Sequence, residues 1–441
     1  MLRVRKGNSR MRTYKYRLYP TRKQQETLQW TLDRARELYN AALQERRDTW
    51  AIIKHHPNFY DEEWRKQAIK DHGRSCYRQI NELPDVKEVR DEYNDIYSQV
   101  LQETLKRVDK AYKAFFRRVQ NGEKAGYPRY QGRDRYHSFC YPQSGFSLEG
   151  NRLVLSKIGH LKIKVHRPVQ GTIKTCTIKR EGDCWYVCFA CEIEATLEKH
   201  TPYTDEAVGI DLGLCHFAAL STGDIIENPR FFRQAEKKIT GMQQELARKK
   251  RGSKRRKKTV KRLSKAYRKV RNQRQDFLHQ WSRCLVNTYE TIVFEDLAPS
   301  KMSKAPKPKQ EKETGVYLPN GASKKAGLNT SILDAGWSTF MNLCEYKAAC
   351  AGVVQVKKVD PYKTSQVCSG CLHEGPHKDL SERVHTCENC GLVLDRDINA
   401  AMNILAVWNG LNLRPTPKTT KKKTQARTEP SEDAPLRSPR L

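Results

Sequence analysis

Residues 366–371 read QVCSGC, and residues 387–401 read CENCGLVLDRDINAA. The two segments contain two Cys-x-x-Cys pairs, separated by the 15 residues from 372 to 386. This spacing is typical of a zinc ribbon, in which four thiolates hold one Zn²⁺ ion. A site with four sulfur ligands has no open position for water, so the predicted role of the ion is structural. The predicted ligands are Cys368, Cys371, Cys387 and Cys390.

An aspartate, Asp397, follows the second pair and begins an apolar-faced helical pattern. Two further acids lie in short apolar runs, Asp211 in AVGIDLG at residues 207–213 and Glu295 in TIVFEDL at residues 291–297. Burying a carboxylate is costly unless a cation or hydrogen bonds replace the lost water. Three such carboxylates can hold two Mg²⁺ ions, one activating water and the other stabilising the leaving oxygen of a phosphodiester. The pattern therefore indicates a nuclease.

Taken alone, each acid also has a structural interpretation. Asp395 and Asp397 could be the favourable negative charges at a helix N-terminus. Glu295 and Asp296 could form the capped end of a strand. Only the presence of all three acids favours the nuclease interpretation over these alternatives.

The charge balance points to a polyanionic partner. Among 441 residues, Lys and Arg outnumber Asp and Glu by 83 to 50, which gives a formal net charge of +33. Nucleic acid is the commonest large polyanion in a cell, so it is the expected partner. No apolar run approaches the roughly 20 residues of a membrane-spanning helix, and the first ten residues lack the apolar core of a signal peptide. We therefore expect a cytoplasmic protein whose ten other cysteines are buried thiols.

Residues 248–274 contain 16 Lys or Arg and no acid. Basic runs are usually solvated faces or tails. Here Val260, Leu263, Tyr267 and Val270 keep a helical spacing, which favours an ordered helix that packs on protein and turns its charged side toward phosphates. The predicted nucleic-acid contacts are Lys254, Arg255, Arg256, Lys257, Lys258, Lys261 and Arg262.

A second candidate interface lies at residues 122–142, where cations alternate with aromatic residues. Aromatic rings that stack on bases, set among cations, suit single-stranded nucleic acid. The alternative is a loop whose aromatic side chains pack into neighbouring cores. The predicted contacts are Tyr127, Arg129, Tyr130, Arg133 and Arg135.

The remaining patterns predict an α+β multidomain protein. Thr21 and Gln24 have the spacing of a helix capping box, and Leu28, Leu32, Ala35, Leu38, Tyr39 and Ala42 then recur on one helical face. Residues 21–120 are predicted to form a helical lobe. Strand patterns at residues 14–18, 161–165 and 185–193 predict a small β-barrel.

Several motifs, in this order, closely resemble the TnpB family of transposon-encoded RNA-guided nucleases. They are YRLYP at residues 16–20, GIDLG at 209–213, FEDL at 294–297, TSQVCSGC at 364–371, CENCG at 387–391 and DRDINAA at 395–401. The resemblance implies an RNase H-like (RuvC) α/β nuclease domain with Asp211, Glu295 and Asp397 as Mg²⁺ ligands. It also implies an inserted zinc ribbon, a helical recognition lobe and a wedge β-barrel. One departure is Leu372, which stands where a glycine is expected.

The domain boundaries expected from the patterns and the resemblance together cover the whole chain. They are the first wedge strand at 1–20, the recognition lobe at 21–120, the wedge barrel at 121–203, the nuclease domain at 204–365 and 394–412, the zinc ribbon at 366–393, and a disordered basic tail at 413–441.

The resemblance further implies a guide RNA from the transposon end and a double-stranded DNA target read beside a short flanking motif. The expected setting is a monomeric protein in a ribonucleoprotein, associated with the nucleoid of a prokaryotic cell. The alternatives are a miniature type V CRISPR effector and a nuclease-dead guided repressor.

Overall fold

A computed structural model describes residues 9–133, 135–194, 201–311, 313–376 and 382–413. The predicted disordered tail, except for its first residue, lies outside the described residues. The chain divides into two compact units. Unit 1 comprises Met1–Thr196 and Lys238–Arg268, and unit 2 comprises Leu197–Lys237 and Lys269–Leu441. None of the described helices has the length and apolarity that crossing a bilayer requires.

Helices occupy the chain of unit 1 between residues 22 and 120. They are α1 (Arg22–Lys54), α2 (Glu62–His72), α3 (Cys76–Asn81), α4 (Leu83–Val89) and α5 (Ser98–Gln120), with 3₁₀ helices at Pro57–Tyr60 and Asp91–Asp95. The predicted capping box is confirmed, because the side chain of Thr21 accepts from the Gln24 N–H and the side chain of Gln24 accepts from the Thr21 N–H. All six predicted apolar positions of α1 are buried.

Seven strands of unit 1 form one antiparallel sheet in the order β2-β6-β7-β1-β5-β4-β3. The strands are β1 (Ser9–Leu18), β2 (Ser138–Tyr141), β3 (Phe146–Glu149), β4 (Arg152–Leu155), β5 (Gly159–Lys164), β6 (Thr172–Glu181) and β7 (Cys184–Glu194). The predicted closed wedge barrel is not seen, because in the described residues no pairing joins the edge strands β2 and β3. Closing a barrel requires its edge strands to pair in a matching stagger, and these two are only four residues long.

The second unit is built on a five-stranded sheet in the order β10-β9-β8-β11-β14. Strands β8, β9 and β10 pair antiparallel, whereas β11 pairs parallel with both β8 and β14. The sheet strands are β8 (Thr204–Asp211), β9 (His216–Leu220), β10 (Ile225–Glu227), β11 (Tyr289–Glu295) and β14 (Gln355–Val359). The short hairpin strands are β12 (Lys309–Gln310), β13 (Tyr317–Leu318), β15 (Val384–Thr386) and β16 (Val393–Asp395).

Two α-helices each contain a residue position at which the chain passes from one unit to the other, and four other helices belong to unit 2. The first two are α6 (Phe231–Arg248) and α7 (Lys254–Thr288); the others are α8 (Pro299–Met302), α9 (Ala322–Ala335), α10 (Trp337–Ala351) and α11 (Arg396–Trp408). Val208, Ile210, Ile292 and Phe294 face a core completed by side chains of α7, α9 and α10. On the opposite face, Val293 and Val359 pack against Ile404 of α11.

A glycine lets α11 approach the sheet. A Cβ at Gly209 would lie 2.2 Å from the Ala401 carbonyl oxygen and 2.8 Å from the Leu405 nitrogen. Both are backbone atoms of α11, which a rotamer change cannot move. The backbone of β8 therefore touches the backbone of α11, and this contact fixes the first turn of the helix relative to the end of the strand.

The cysteines outside the predicted ribbon are not all buried. None of the fourteen forms a disulfide; of the ten, five are buried and three are half-buried. Cys284 and Cys350 are exposed. The prediction of ten buried thiols is therefore wrong for these two.

Candidate active site and metal centre

Asp211 and Glu295 lie at the carboxyl ends of two neighbouring parallel strands. In the register of β8 and β11, Ile210 is paired with Phe294, so the two acids that follow lie side by side. Side chains alternate between the faces of a strand. Because Ile210 and Phe294 point into the unit 2 core, Asp211 and Glu295 point to the face that α11 covers. The next acid along the chain, Asp296, is exposed.

The third acid, Asp397, reaches the same place from the first turn of α11. Its neighbour Asp395 is the N-cap, since its Oδ1 accepts from the N–H groups of Asp397 at 2.8 Å and Ile398 at 3.2 Å. Asp397 Oδ2 lies 3.7 Å from the position that a Cβ on Gly213, two residues beyond Asp211, would occupy. Asp395 is thus the N-cap, and Asp397 lies in the first turn, where a negative charge is also favourable, with its carboxylate beside the strand end.

Burial and the two neighbouring acids disfavour the charge of Asp211. Burial raises the pKa of Asp211 well above its usual range, and the carboxylates of Glu295 and Asp397 raise it further. Burial also raises the pKa of Glu295 and of Asp397. Arg396 acts in the opposite direction on Asp211, but more weakly. Such a cluster gains stability from a divalent cation, because a cation favours the ionised form of every carboxylate near it.

The four ribbon cysteines come together. In the described parts of the chain they are the one group of three or more Cys, His, Asp or Glu residues whose ligand atoms all lie within 4.8 Å of one another. The Cys368 and Cys390 sulfurs are 3.7 Å apart, and those of Cys371 and Cys387 are 3.5 Å apart. A tetrahedral zinc site with bonds of roughly 2.3 Å places its sulfurs about 3.8 Å apart. The donor set and its spacing therefore fit Zn²⁺.

The two cysteine pairs form matching turns. In the first, the Leu372 N–H donates to the Cys368 carbonyl at 2.9 Å, and in the second the Gly391 N–H donates to the Cys387 carbonyl at 2.9 Å. Gly391 has φ +73°, and Leu372 has φ +62°. The left-handed conformation explains why a glycine is expected at position 372, since it costs other residues about 1–2 kcal/mol.

The thiolate form of Cys371, in the first cysteine turn, is favoured by a hydrogen bond. The Asn389 side chain donates to the Cys371 sulfur at 3.4 Å and lowers the pKa of that thiol to about 6. A lowered pKa favours the thiolate, which is the form that binds a metal, whereas the neighbouring cysteines raise the pKa of Cys390 to about 12.

Sequence reasoning missed three buried polar residues that join the two sites. Thr364 donates to Glu295 Oε1, and Asn399 and Asn403 of α11 bind the backbone between Thr364 and Ser369. The available signal was the spacing of the asparagines, because residues four apart share a helix face. On an otherwise apolar face, two amides indicate a buried polar contact.

The predicted basic helix is present as the first half of α7, within unit 1. Its packing differs from the prediction: Val270 is buried, but Val260 and Tyr267 are 42% and 40% exposed. Thr259 is buried instead, because its hydroxyl donates to Glu245 at 3.0 Å and accepts from Lys249 at 2.7 Å. The spacing of the apolar residues did not predict that Thr259 would be buried. Of the seven predicted contacts, Arg256 is half-buried and the following are exposed: Lys254, Arg255, Lys257, Lys258, Lys261 and Arg262.

The core-packing interpretation of the aromatic segment holds for part of it, and the nucleic-acid contacts stay a prediction. Tyr136, Phe139 and Tyr141 are buried, as expected for a loop that fills neighbouring cores. Tyr127 and Tyr130 are 39% and 40% exposed, and the Arg47 guanidinium lies 5.6 Å and 5.0 Å from their ring centroids. The predicted cationic contacts, Arg129, Arg133 and Arg135, are exposed. The two tyrosines remain predicted stacking positions.

Comparisons with known proteins agree with the motifs. Three family models match: OrfB of IS605, described as a "Probable transposase", at residues 188–305; a "Cas12f1-like, TNB domain" at 337–404; and a "Helix-turn-helix domain" at 10–53. Despite the last description, residues 10–53 here form β1 and one long helix, α1.

Two curated relatives match most of the chain. "Putative RNA-guided DNA endonuclease InsQ" of Escherichia coli (strain K12) is 33% identical over 72% of this chain and 76% of its own length. "Putative RNA-guided DNA endonuclease" of Streptomyces pristinaespiralis is 31% identical over 90% of this chain and 89% of its own length. The chain belongs to the TnpB (IS605 OrfB) family, which confirms the resemblance drawn from the motifs.

A solved structure shares the fold. The Cas12f1 chain of a Cas12f1–sgRNA–target DNA complex matches 90% of this chain and 99% of its own length, with a TM-score of 0.50 and 13% identity. The α+β multidomain prediction is confirmed by this Cas12f-like fold.

Proposed function

We propose that this chain is the RNA-guided, Mg²⁺-dependent DNA endonuclease of a transposon and that Asp211, Glu295 and Asp397 are its catalytic residues. The observation that carries the proposal is the convergence of three acids, the buried Glu295 and the half-buried Asp211 and Asp397, in a family whose relatives bear that activity in their names. Double-stranded DNA beside a short flanking motif is the proposed substrate, with specificity supplied by a guide RNA from the transposon end.

The carboxylates fit a site for two Mg²⁺ ions. The carboxylates of Glu295 and Asp397 lie near enough to Asp211 to raise its pKa. Carboxylate oxygens are ligands that Mg²⁺ prefers, and the ions of a two-metal site lie about 3.5–4 Å apart. When bound, Mg²⁺ supplies an activated water and stabilises the leaving oxygen of the phosphodiester. The chain itself holds the acids on a strand end, a neighbouring strand end and a capped helix.

The proposed domains follow the sequence boundaries. Residues 204–365 and 394–412 would form the RNase H-like (RuvC) nuclease domain, which the sheet of three antiparallel strands followed by two parallel strands supports. The ribbon at 366–393 would hold one structural Zn²⁺. Residues 21–120 would form the recognition lobe, and the sheet of unit 1, whose strands lie in 1–20 and 121–203, would serve as the wedge. A single protein copy would bind the guide RNA.

The test uses protein purified with the RNA that accompanies it. The RNA is sequenced, and matched DNA with a randomised flanking segment is supplied with Mg²⁺. We expect cleavage beside one flanking motif and an RNA that derives from a transposon end. RNA-loaded protein that cuts no member of the library would refute the proposal.

A matched pair of variants tests the site. Glu295→Ala should abolish cleavage but keep RNA binding, whereas Asp296→Ala, at the exposed neighbour, should cut at the wild-type rate. Equal activity of the two variants would contradict the assignment of Glu295.

The same RNA sequence separates the alternatives. The Cas12f-like fold is the observation that favours a miniature CRISPR effector, and an RNA carrying a CRISPR repeat would support it. A nuclease-dead repressor is less consistent with the chain, because all three acids are present and adjacent. Binding of matched DNA without cleavage would favour the repressor.

A further inference from the structure

The segment between β14 and the first cysteine pair contacts the carboxylate cluster. Thr364 is buried, with 2% of its surface exposed, and its hydroxyl donates to Oε1 of Glu295. Glu295 is itself 8% exposed. A donor to one oxygen of a buried carboxylate fixes the rotation of the group and thereby the direction in which the other oxygen points.

One asparagine of α11 fixes the position of Thr364. The Asn403 side-chain nitrogen donates to the Thr364 carbonyl at 2.8 Å and to the Val367 carbonyl at 2.7 Å. Asn403 is fully buried, and within the described structure its Oδ1 accepts no hydrogen bond. A buried acceptor without a partner is unfavourable, and an apolar residue here would avoid that cost. The amide is therefore favoured for the contacts of its nitrogen with this segment.

A second asparagine, one helical turn earlier, holds the residues on both sides of Cys368. The Asn399 nitrogen donates to the Val367 carbonyl at 2.8 Å, and its Oδ1 accepts from the Ser369 N–H at 2.9 Å. Asn399 is also fully buried. The first cysteine turn is thus bound to the helix that carries Asp397.

We propose that Thr364 positions Glu295 for metal binding and that Asn399 and Asn403 make this positioning depend on the folded ribbon. The contacts run from Cys368 through the two asparagines to Thr364 and then to the carboxylate. The inference rests on the proposed function, because it takes Glu295 to be a metal ligand. Thr364 is a positioning residue here, and the ribbon gains a role at the carboxylate site besides its own stability.

The test measures Mn²⁺ binding to the full-length protein by electron paramagnetic resonance, with Mn²⁺ as the probe for the carboxylate site. Thr364→Val keeps the side-chain shape and removes the donor, so Mn²⁺ affinity should fall by about 10–100-fold. Thr364→Ser keeps the hydroxyl and should restore affinity to within a few-fold of the wild type. Thr31→Val, at a buried threonine of unit 1, is the matched control and should leave affinity unchanged.

Dependence on the ribbon is tested by a double-variant cycle. Cys387→Ser, which removes a ligand from the second turn, should weaken Mn²⁺ binding in the wild-type background. It should cause little further loss in the Thr364→Val background, because the same connection is already broken. Zinc content and circular dichroism show which variants remain folded.

Three outcomes are decisive. Wild-type Mn²⁺ affinity in folded Thr364→Val would overturn the role of Thr364. Losses that add fully in the double variant would overturn its coupling to the ribbon. An Asp211→Asn variant that binds Mn²⁺ like the wild type would instead show that the carboxylate site itself is wrong, and the proposed function would fail with it.

Discussion

Replacing Gly209 with alanine should move Asp397, on α11, away from Asp211, on β8. The added Cβ would lie 2.2 Å from the Ala401 carbonyl oxygen, whereas an ordinary contact begins at 3.4 Å, so the difference to be relieved is about 1.2 Å. Neither backbone can rotate out of the way, and therefore α11 must move from β8. Asp397 would move with its helix, and Asp211 would stay on the strand.

The expected losses follow from that displacement. Overpacking of this kind costs about 1–3 kcal/mol of stability. A misplacement of about 1 Å at a catalytic site can lower the rate about 100-fold. The measurement is the single-turnover rate of DNA cleavage by RNA-loaded protein at saturating Mg²⁺, together with a thermal melt. DNA binding should change little.

Gly241→Ala provides the control. This glycine lies within α6, and a Cβ there would meet nothing within 4 Å. Alanine is a better helix former, so the variant should gain roughly 0.5–1 kcal/mol and cut normally. If Gly209→Ala also melted and cut like the wild type, α11 would not pack on β8 as described and the reasoning would be refuted.

Three other predictions concern the ribbon, the acids and the basic helix. Leu372→Gly should stabilise the ribbon by about 0.5–1 kcal/mol, which is the relieved left-handed strain less the entropic cost of glycine. Gly391→Leu should destabilise the ribbon, and thermal melting and zinc retention measure both effects. Without metal, the free energy of unfolding should fall as the pH rises from about 4 through the raised pKa of Asp211, since the folded state disfavours its ionisation. Mg²⁺ should reverse that fall because it binds the ionised acids, and a metal-free stability that rises over this range would contradict the assignment. Reversing the four charges at residues 255–258 should weaken RNA or DNA affinity and reduce its dependence on salt concentration. An unchanged slope of log affinity against log salt concentration would mean that these four side chains face solvent.

The grouping of the acids and that of the cysteines could be predicted because their signals are local, whereas the catalytic role of the acids stays a prediction. Asp211 and Glu295 each lie in a short apolar run, which predicts a strand. The spacing of the cysteines predicts a zinc site whatever the surrounding fold is. The capping box at Thr21 is local in the same way. Each of these features is set by residues close together in the chain.

The features that were missed or wrong depend on distant partners. The barrel prediction was wrong because closure of a barrel depends on pairings between strands that lie far apart in sequence, as β1 and β7 do. The burial of Thr259 was not predicted because it depends on Glu245 in the last turn of α6 and on Lys249, just after that helix. The roles of Asn399 and Asn403 could not be seen without knowing which loop faces α11.

Because α11 comes late in the chain, the carboxylate site is completed only near the end of synthesis. A ribosome that has reached residue 393 has already made Asp211 and Glu295, but not the helix that brings Asp397 to them. Prematurely terminated chains would then lack the third carboxylate while retaining the helices and sheet of unit 1. On the proposed function, such fragments could compete for guide RNA but could not cut a chromosome.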